Sequence, residues 1–175
     1  MKIGIVGMGW VGSSVAISTL HTGIATELLV HDINTALAQG ASFYPTASVR
    51  SVSLDEMTDA DAVVISAGRG GRPEENRLDL RRENAAIVRS IAKHLTRLQG
   101  LLVIVTNPVD VMTHIAADAS GLPPARVIGT GTMLDTARLR HVLGRELGLD
   151  ARSIHAHVVG ELGDSEVVLW SAWAA

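Results

Sequence analysis

Apolar residues in this chain fall in short unbroken runs separated by amphipathic stretches, and the alternation of the two predicts most of its architecture. Runs at 2–7, 27–32, 47–52, 61–66, 101–105 and 126–130 have the length of strands. Leu101-Leu102-Val103-Ile104-Val105 is apolar at every position, as a strand buried on both faces of a sheet requires. Helical spacing predicts helices near 10–22, 79–98, 108–119 and 132–147. In the second of these, Ile87, Val88, Ile91, Leu95 and Leu98 form one apolar stripe, with arginines on the opposite face. Strand-length runs alternating with helices predict an α/β fold: a doubly wound parallel sheet of Rossmann type, its strands joined by crossover helices. A further alternating segment, 152–159, predicts one more strand, with His155 and His157 on the same face.

The first strand-to-helix junction carries specific chemistry. Lys2-Ile3-Gly4-Ile5-Val6 runs into Gly7-Met8-Gly9-Trp10-Val11-Gly12, and Asp32 follows twenty residues after Gly12 at the end of the second apolar run. A glycine triplet alone is a weak signal, but a strand before it, a helix after it and an acid at that distance form the dinucleotide-binding fingerprint. Gly7 permits the tight turn, Gly9 lets backbone approach a diphosphate, and Gly12 lets the helix pack on the sheet. The diphosphate then meets unpaired N–H groups at the positive end of the helix. The Asp32 carboxylate can accept from the adenosine ribose hydroxyls and would repel a 2′-phosphate, so NAD is the expected cofactor rather than NADP. The bland alternative is a tight turn with Asp32 opening the next element.

Composition narrows the remaining classes. The chain has 175 residues, 47% of them hydrophobic, enough to bury a core. A net charge of −3 and scattered arginines leave no basic face for nucleic acid. With no cysteine, disulfide scaffolds and thiolate metal sites are excluded. No apolar run approaches the length of a membrane span, and the first strand leaves no room for a signal-peptide core, so a cytoplasmic protein that does not engage membranes is expected. Gly68-Arg69-Gly70-Gly71-Arg72-Pro73 reads as a mobile loop at the carboxyl end of a strand, where such folds bind ligands.

Several segments together resemble the L-lactate/L-malate dehydrogenase family, and in particular its bacterial L-lactate branch. They are the glycine turn at 7–12, Arg77-Leu78-Asp79-Leu80, Thr106-Asn107-Pro108-Val109-Asp110, Gly131-Thr132-Met133-Leu134-Asp135-Thr136-Ala137-Arg138 and Gly160-Glu161-Leu162-Gly163-Asp164-Ser165, in the family's order across essentially the whole chain. The resemblance implies reversible hydride transfer between NADH and a small 2-oxo acid, giving an L-2-hydroxy acid. It implies a cofactor domain over 1–149 and the first elements of a substrate domain over 150–175. By resemblance Arg138 grips the substrate carboxylate, which a planar guanidinium does through two parallel hydrogen bonds. Arg77 swings over the substrate and polarises its carbonyl, Asn107 contacts the substrate oxygen or the nicotinamide region, and Asp135 orients a histidine acting as general acid. Gly68 and Asn84 join Gly7, Gly9, Gly12, Asp32 and Asn107 beside the cofactor. Each residue also has an ordinary alternative. Thr132 and Asp135 have capping-box spacing, Asp135 and Arg138 can form an i,i+3 ion pair, Asn107-Pro108 can start a turn, and Arg77 can be a solvated residue before its helix.

Three departures from the family pattern stand out. The position of the family's catalytic histidine is Leu162, which can neither donate nor accept a proton. His155 and His157 do not replace it: Leu162 lies five residues beyond His157, roughly 16 Å along an extended chain. The His-x-His pair lacks a third ligand nearby, so structural histidines are expected and no metal site. The segment after Asp32 is shorter than the family's helix there. In the family it contributes a subunit contact, so the usual dimer is in doubt, and a homo-oligomer or association with a full-length relative is left as the expected partnership. Most of the substrate domain is also missing from the pattern. Gly71, with Arg72 beside it, occupies the family's substrate-reading position and implies a monocarboxylic 2-oxo acid rather than oxaloacetate. Three functions remain: the cofactor portion of a 2-hydroxyacid dehydrogenase, a catalytically silent NAD(H)-binding module, and a structural remnant without a ligand.

Overall fold

A computed structural model describes residues 1–34, 47–71 and 74–172. The expectations placed on the segment after Asp32 over 35–46, and on Arg72 and Pro73, lie outside the described residues, as does the side chain of Arg77. The chain forms two compact units, Met1–Gly129 and Thr130–Ala175.

The first unit holds strands β1 (Lys2–Val6), β2 (Glu27–His31), β3 (Ser48–Ser51), β4 (Ala62–Ile65), β5 (Leu101–Ile104) and β6 (Val127–Gly129), with helices α1 (Trp10–Thr22), α2 (Arg77–His94) and α3 (Val109–Ser120). The strands form one sheet in the order β3-β2-β1-β4-β5-β6, every pair parallel. This is the doubly wound arrangement the apolar runs predict, with the order reversing between β1 and β4. Period-two alternation sends adjacent side chains to opposite faces. Ile3, Ile5, Leu28 and Val30 pack with Ala16 and Leu20 of α1. On the other face, Val6, Leu29, Val63, Ile65, Leu102 and Ile104 pack with Val88, Ile91 and Met112 of α2 and α3. Burial on both faces explains why these strands read as continuous apolar runs.

Helix α2 begins earlier and ends earlier than its apolar stripe suggests. Asn76 caps it, its side chain accepting from the Leu78 N–H at 2.9 Å. After His94 the chain tightens: Leu95 N–H donates to Ala92 O and Leu98 N–H to Leu95 O. Leu95 and Leu98 stay buried in these turns, so the stripe outlasts the helix.

The second unit holds α4 (Met133–Leu147), a 3-10 turn at Ala151–Ser153 and an antiparallel pair, β7 (Val158–Val159) with β8 (Val167–Val168). The long strand expected over 152–159 is not formed. Asp150 caps the turn by accepting from the Arg152 N–H at 2.8 Å, and the extended stretch beyond it bonds to side chains of α4 and of Thr132 just before it. Arg140 Nε donates to Ala156 O at 3.0 Å, Thr132 Oγ1 to Val158 O at 2.6 Å, and Val158 N–H to Thr136 Oγ1 at 3.0 Å. The alternation itself survives: Ile154, Ala156 and Val158 are buried, while His155 and His157 are exposed. Where the resemblance implies a boundary after residue 149, the compact units divide between Gly129 and Thr130, because α4 packs with this turn and with β7.

Candidate functional site

At the carboxyl end of the first unit's sheet, β1 turns sharply into α1. Gly7 adopts φ +94, and a Cβ there would stand 2.5 Å from the backbone of Ala67, which follows β4. Side chains are thus excluded at the point where the strand order reverses, the place where such folds take ligands. A Cβ on Gly12 would overlap the Gly7 carbonyl oxygen, so only glycine lets the first turn of α1 sit against β1. At Gly9 the space is open, with no atom within 4 Å of a built Cβ. Gly9 is also the N-cap, and it makes no side-chain capping bond. The first N–H groups of α1 therefore lack intrahelical partners and face an open approach, the arrangement that receives a phosphate group.

The turn is held by hydrogen bonds from three sides. Gly7 N–H donates to His31 O at 2.8 Å, Ser66 Oγ donates to Gly7 O at 2.9 Å, and Ser13 Oγ donates to Met8 O at 2.9 Å. Asp32, just past β2, accepts from the Met8 N–H at 2.5 Å and from the Asn34 N–H at 2.7 Å. Neither Ser13 nor Ser66 was singled out in the sequence; a serine beside a glycine turn carries no pattern of its own.

The neighbouring rim is formed after β4 and β5. Gly68 is exposed, and a Cβ there would stand 2.8 Å from Thr106 Cγ2 and 3.4 Å from Asn84 Oδ1. Asn84, buried on α2, clasps the backbone of Arg69: its Oδ1 accepts from Arg69 N–H at 2.7 Å and its Nδ2 donates to Arg69 O at 3.2 Å. The Arg69 side chain in turn bonds to Glu75 and Glu83, and those two carboxylates hold its guanidinium above its ordinary pKa. Asn107 is exposed at the end of β5, before a cis bond to Pro108 and the start of α3. Arg77 is the first residue of α2. The structure thus gathers Gly7, Gly9, Gly12 and Asp32 around one turn, with Gly68 and Asn84 packed against each other.

In the second unit, Asp135 lies in the first turn of α4 and accepts from Arg138 Nη1 at 2.8 Å. Thr132 makes no cap, because its hydroxyl goes to Val158, so the capping-box alternative is not realised. Asp135 is 18% exposed and its Oδ2 is buried without a hydrogen-bond partner, whereas Arg138 is 72% exposed. A surface i,i+3 pair is worth about 0.2–0.5 kcal/mol, too little to withhold Arg138 from a carboxylate ligand that engages it through two bonds. Among the described residues no group of three or more His, Asp or Glu is placed to hold a metal ion. No helix among them is long and apolar enough to cross a membrane.

Comparison with known proteins gives this arrangement its relatives. The family model for the lactate/malate dehydrogenase NAD binding domain matches residues 1–129, and that for the family's alpha/beta C-terminal domain matches 132–174. An L-lactate dehydrogenase of Clostridium perfringens is 40% identical over 180 residues, covering 97% of this chain and 57% of the relative. L-lactate dehydrogenase 2 of Enterococcus faecalis is 43% identical over 181 residues, with the same two shares. Among solved structures, the minor L-lactate dehydrogenase of Enterococcus mundtii in its ligands-bound form superposes with a TM-score of 0.90 at 40% identity, covering 99% of this chain and 59% of that one. The chain therefore spans somewhat more than half the length of the relatives it matches. It belongs to the lactate/malate dehydrogenase family, and residues 1–129 form that family's NAD-binding domain.

Proposed function

We propose that this chain is the NAD(H)-binding portion of an L-lactate dehydrogenase-like oxidoreductase, whose parent reaction moves hydride between NADH and a small 2-oxo acid such as pyruvate. The observation that carries the reading is the glycine turn: side chains excluded at Gly7 and Gly12, open space at Gly9, and an uncapped helix start beside a carboxylate. In the parent reaction NAD(H) supplies the hydride. Asp32 receives the ribose hydroxyls, and Gly68, Asn84 and Asn107 border the cofactor. Arg138 binds the substrate carboxylate and Arg77 polarises its carbonyl as charge develops on the oxygen. Asp135 is the carboxylate partner for a proton-donating histidine, and its unsatisfied Oδ2 suits such a donor. Gly71 offers no charge partner for a second carboxylate, which favours monocarboxylic 2-oxo acids over oxaloacetate.

Leu162 favours a second reading of the same site. With leucine where the family carries its general acid, the chain serves as a catalytically silent NAD(H)-binding module that joins copies of itself or a full-length relative. Fluorescence titration with NADH, run beside NADPH, tests the cofactor assignment common to both. NADH is expected to bind at least about tenfold more tightly, ~1.4 kcal/mol, because a 2′-phosphate would face the Asp32 carboxylate. Absence of NADH binding, or equal dissociation constants, overturns the assignment.

A further inference from the structure

The carboxylate assigned to the ribose hydroxyls already has work in the protein alone. Asp32 Oδ2 accepts from the Met8 N–H, and Oδ1 from the Asn34 N–H. Met8 sits between the first two glycines of the turn and is 3% exposed. A buried N–H left without a partner costs about 1–3 kcal/mol, so the Met8 amide depends on what Asp32 offers it. The Gly7 N–H, the Gly7 carbonyl and the Met8 carbonyl are met by neutral groups, from His31, Ser66 and Ser13. Of these four contacts, the one to Asp32 is charge-assisted and so the strongest for its length.

We propose that Asp32 is a positioning residue for the diphosphate as well as a ribose contact: through the Met8 N–H it fastens the glycine turn to the end of β2 and sets the shape of the turn before a ligand arrives. The inference rests on the reading of that turn as the diphosphate site of NAD(H). The two duties are compatible, because each carboxylate oxygen has two acceptor positions and one backbone N–H leaves the other open for a hydroxyl. They are also separable. The charge on Asp32 repels any anion on the turn, while the fastening favours its binding, so removing Asp32 has opposite consequences under the two roles.

Inorganic pyrophosphate separates them, since it carries the anionic groups and no ribose. Asp32→Ala removes both acceptors; Asp32→Asn removes the charge and keeps one acceptor oxygen. Amide hydrogen exchange at Met8, followed by NMR, is expected to speed up about tenfold or more in Asp32→Ala and by less in Asp32→Asn, with Ile5 and Val6 of β1 unchanged. Protection at Ile5 and Val6 reports an intact sheet, and Asp32→Asn carries the comparison if the alanine variant does not fold. Calorimetric binding of pyrophosphate is expected to weaken roughly threefold or more in Asp32→Ala, by ~0.7 kcal/mol. Unchanged Met8 exchange in a folded variant, or pyrophosphate bound as tightly or more tightly by Asp32→Ala, overturns the proposal and leaves charge repulsion alone. If the unmodified protein binds neither pyrophosphate nor NADH, the diphosphate reading of the turn falls, and Met8 exchange by itself decides whether Asp32 fastens it.

Discussion

Gly12 packs so closely on Gly7 that a Cβ at position 12 would overlap the Gly7 carbonyl oxygen, the same oxygen that accepts from Ser66. The obstruction is backbone, which cannot swing aside as a flexible side chain does. Gly12→Ala is therefore expected to lose about 1–3 kcal/mol of stability, the range for forcing extra volume into a packed site. Gly9 is the control, because its built Cβ meets nothing within 4 Å and its φ of −69 suits any residue. Gly9→Ala should keep the fold while weakening NADH, since the added methyl occupies the approach to the helix start. Urea unfolding and NADH titration of both variants check the pair; equal stability losses would show that the glycines act only as turn formers.

Asn84 is expected to matter for stability before it matters for the cofactor. Its amide spends one oxygen and one N–H on the Arg69 backbone while the residue is 6% exposed. Asn84→Ala leaves both Arg69 groups without these partners, at a cost of about 1–3 kcal/mol. Thermal unfolding measures the loss. If stability is unchanged and only NADH affinity falls, the contact to Arg69 is incidental and the cofactor role assigned by resemblance stands alone.

What the sequence disclosed and withheld follows from the range of each interaction. The strands with apolar runs were legible because burial on both faces marks every residue, and the glycine turn because glycines recur at fixed spacing, two of them excluding a side chain and Gly9 keeping the approach to the helix open. The 152–159 segment shows the limit. Alternation put His155 and His157 on one face, and the structure leaves both exposed with Ile154, Ala156 and Val158 buried, but pairing depends on where backbone groups find partners, and Thr132, Thr136 and Arg140 supply those from a helix and its N-cap more than a dozen residues away. Asp32 was recognised by its distance from the glycines. Its bond to Met8 was not, because no spacing rule says which amide a carboxylate reaches once the chain has turned.

Acid should loosen the amino end of the sheet, where Lys2 and Glu27 open β1 and β2, through one surface cluster. Lys2 bridges Asp59 and Glu27, and Glu27 also pairs with Arg50. Bonding from Arg50, then from Lys2, holds the Glu27 carboxyl below its ordinary 4.5, and bonding from Lys2 holds Asp59 below its ordinary 3.8. Carboxyls depressed in the folded state contribute stability that is fully present above those ordinary values and is lost as pH falls through the depressed ones. The melting temperature should therefore decline below about pH 4.5, and Glu27→Gln should flatten part of the decline. High salt should shrink the difference, since these side chains are solvent-accessible and screened. An acid limb identical in wild type and Glu27→Gln at low salt would remove the cluster from the account.

Leu162 offers the sharpest test of catalysis. A general acid typically contributes about 10²–10⁴-fold to rate, and leucine supplies none of it. The chain is expected to bind NADH yet consume it with pyruvate no faster than background, and Leu162→His alone should change little, because the chain spans only part of its relatives' length. The comparison that isolates the proton donor joins this chain, with Leu162 or with His, to the portion of the Enterococcus faecalis relative that it does not span. Following NADH absorbance with pyruvate, the histidine fusion should exceed the leucine fusion by about 10²–10⁴-fold. Adding Asp135→Asn to the histidine fusion should then lower the rate again, because the donor would lose the carboxylate proposed to orient it. Turnover above background by the unmodified chain would sink the silent-module reading and direct the search for a proton donor to His155 and His157, both of which are exposed.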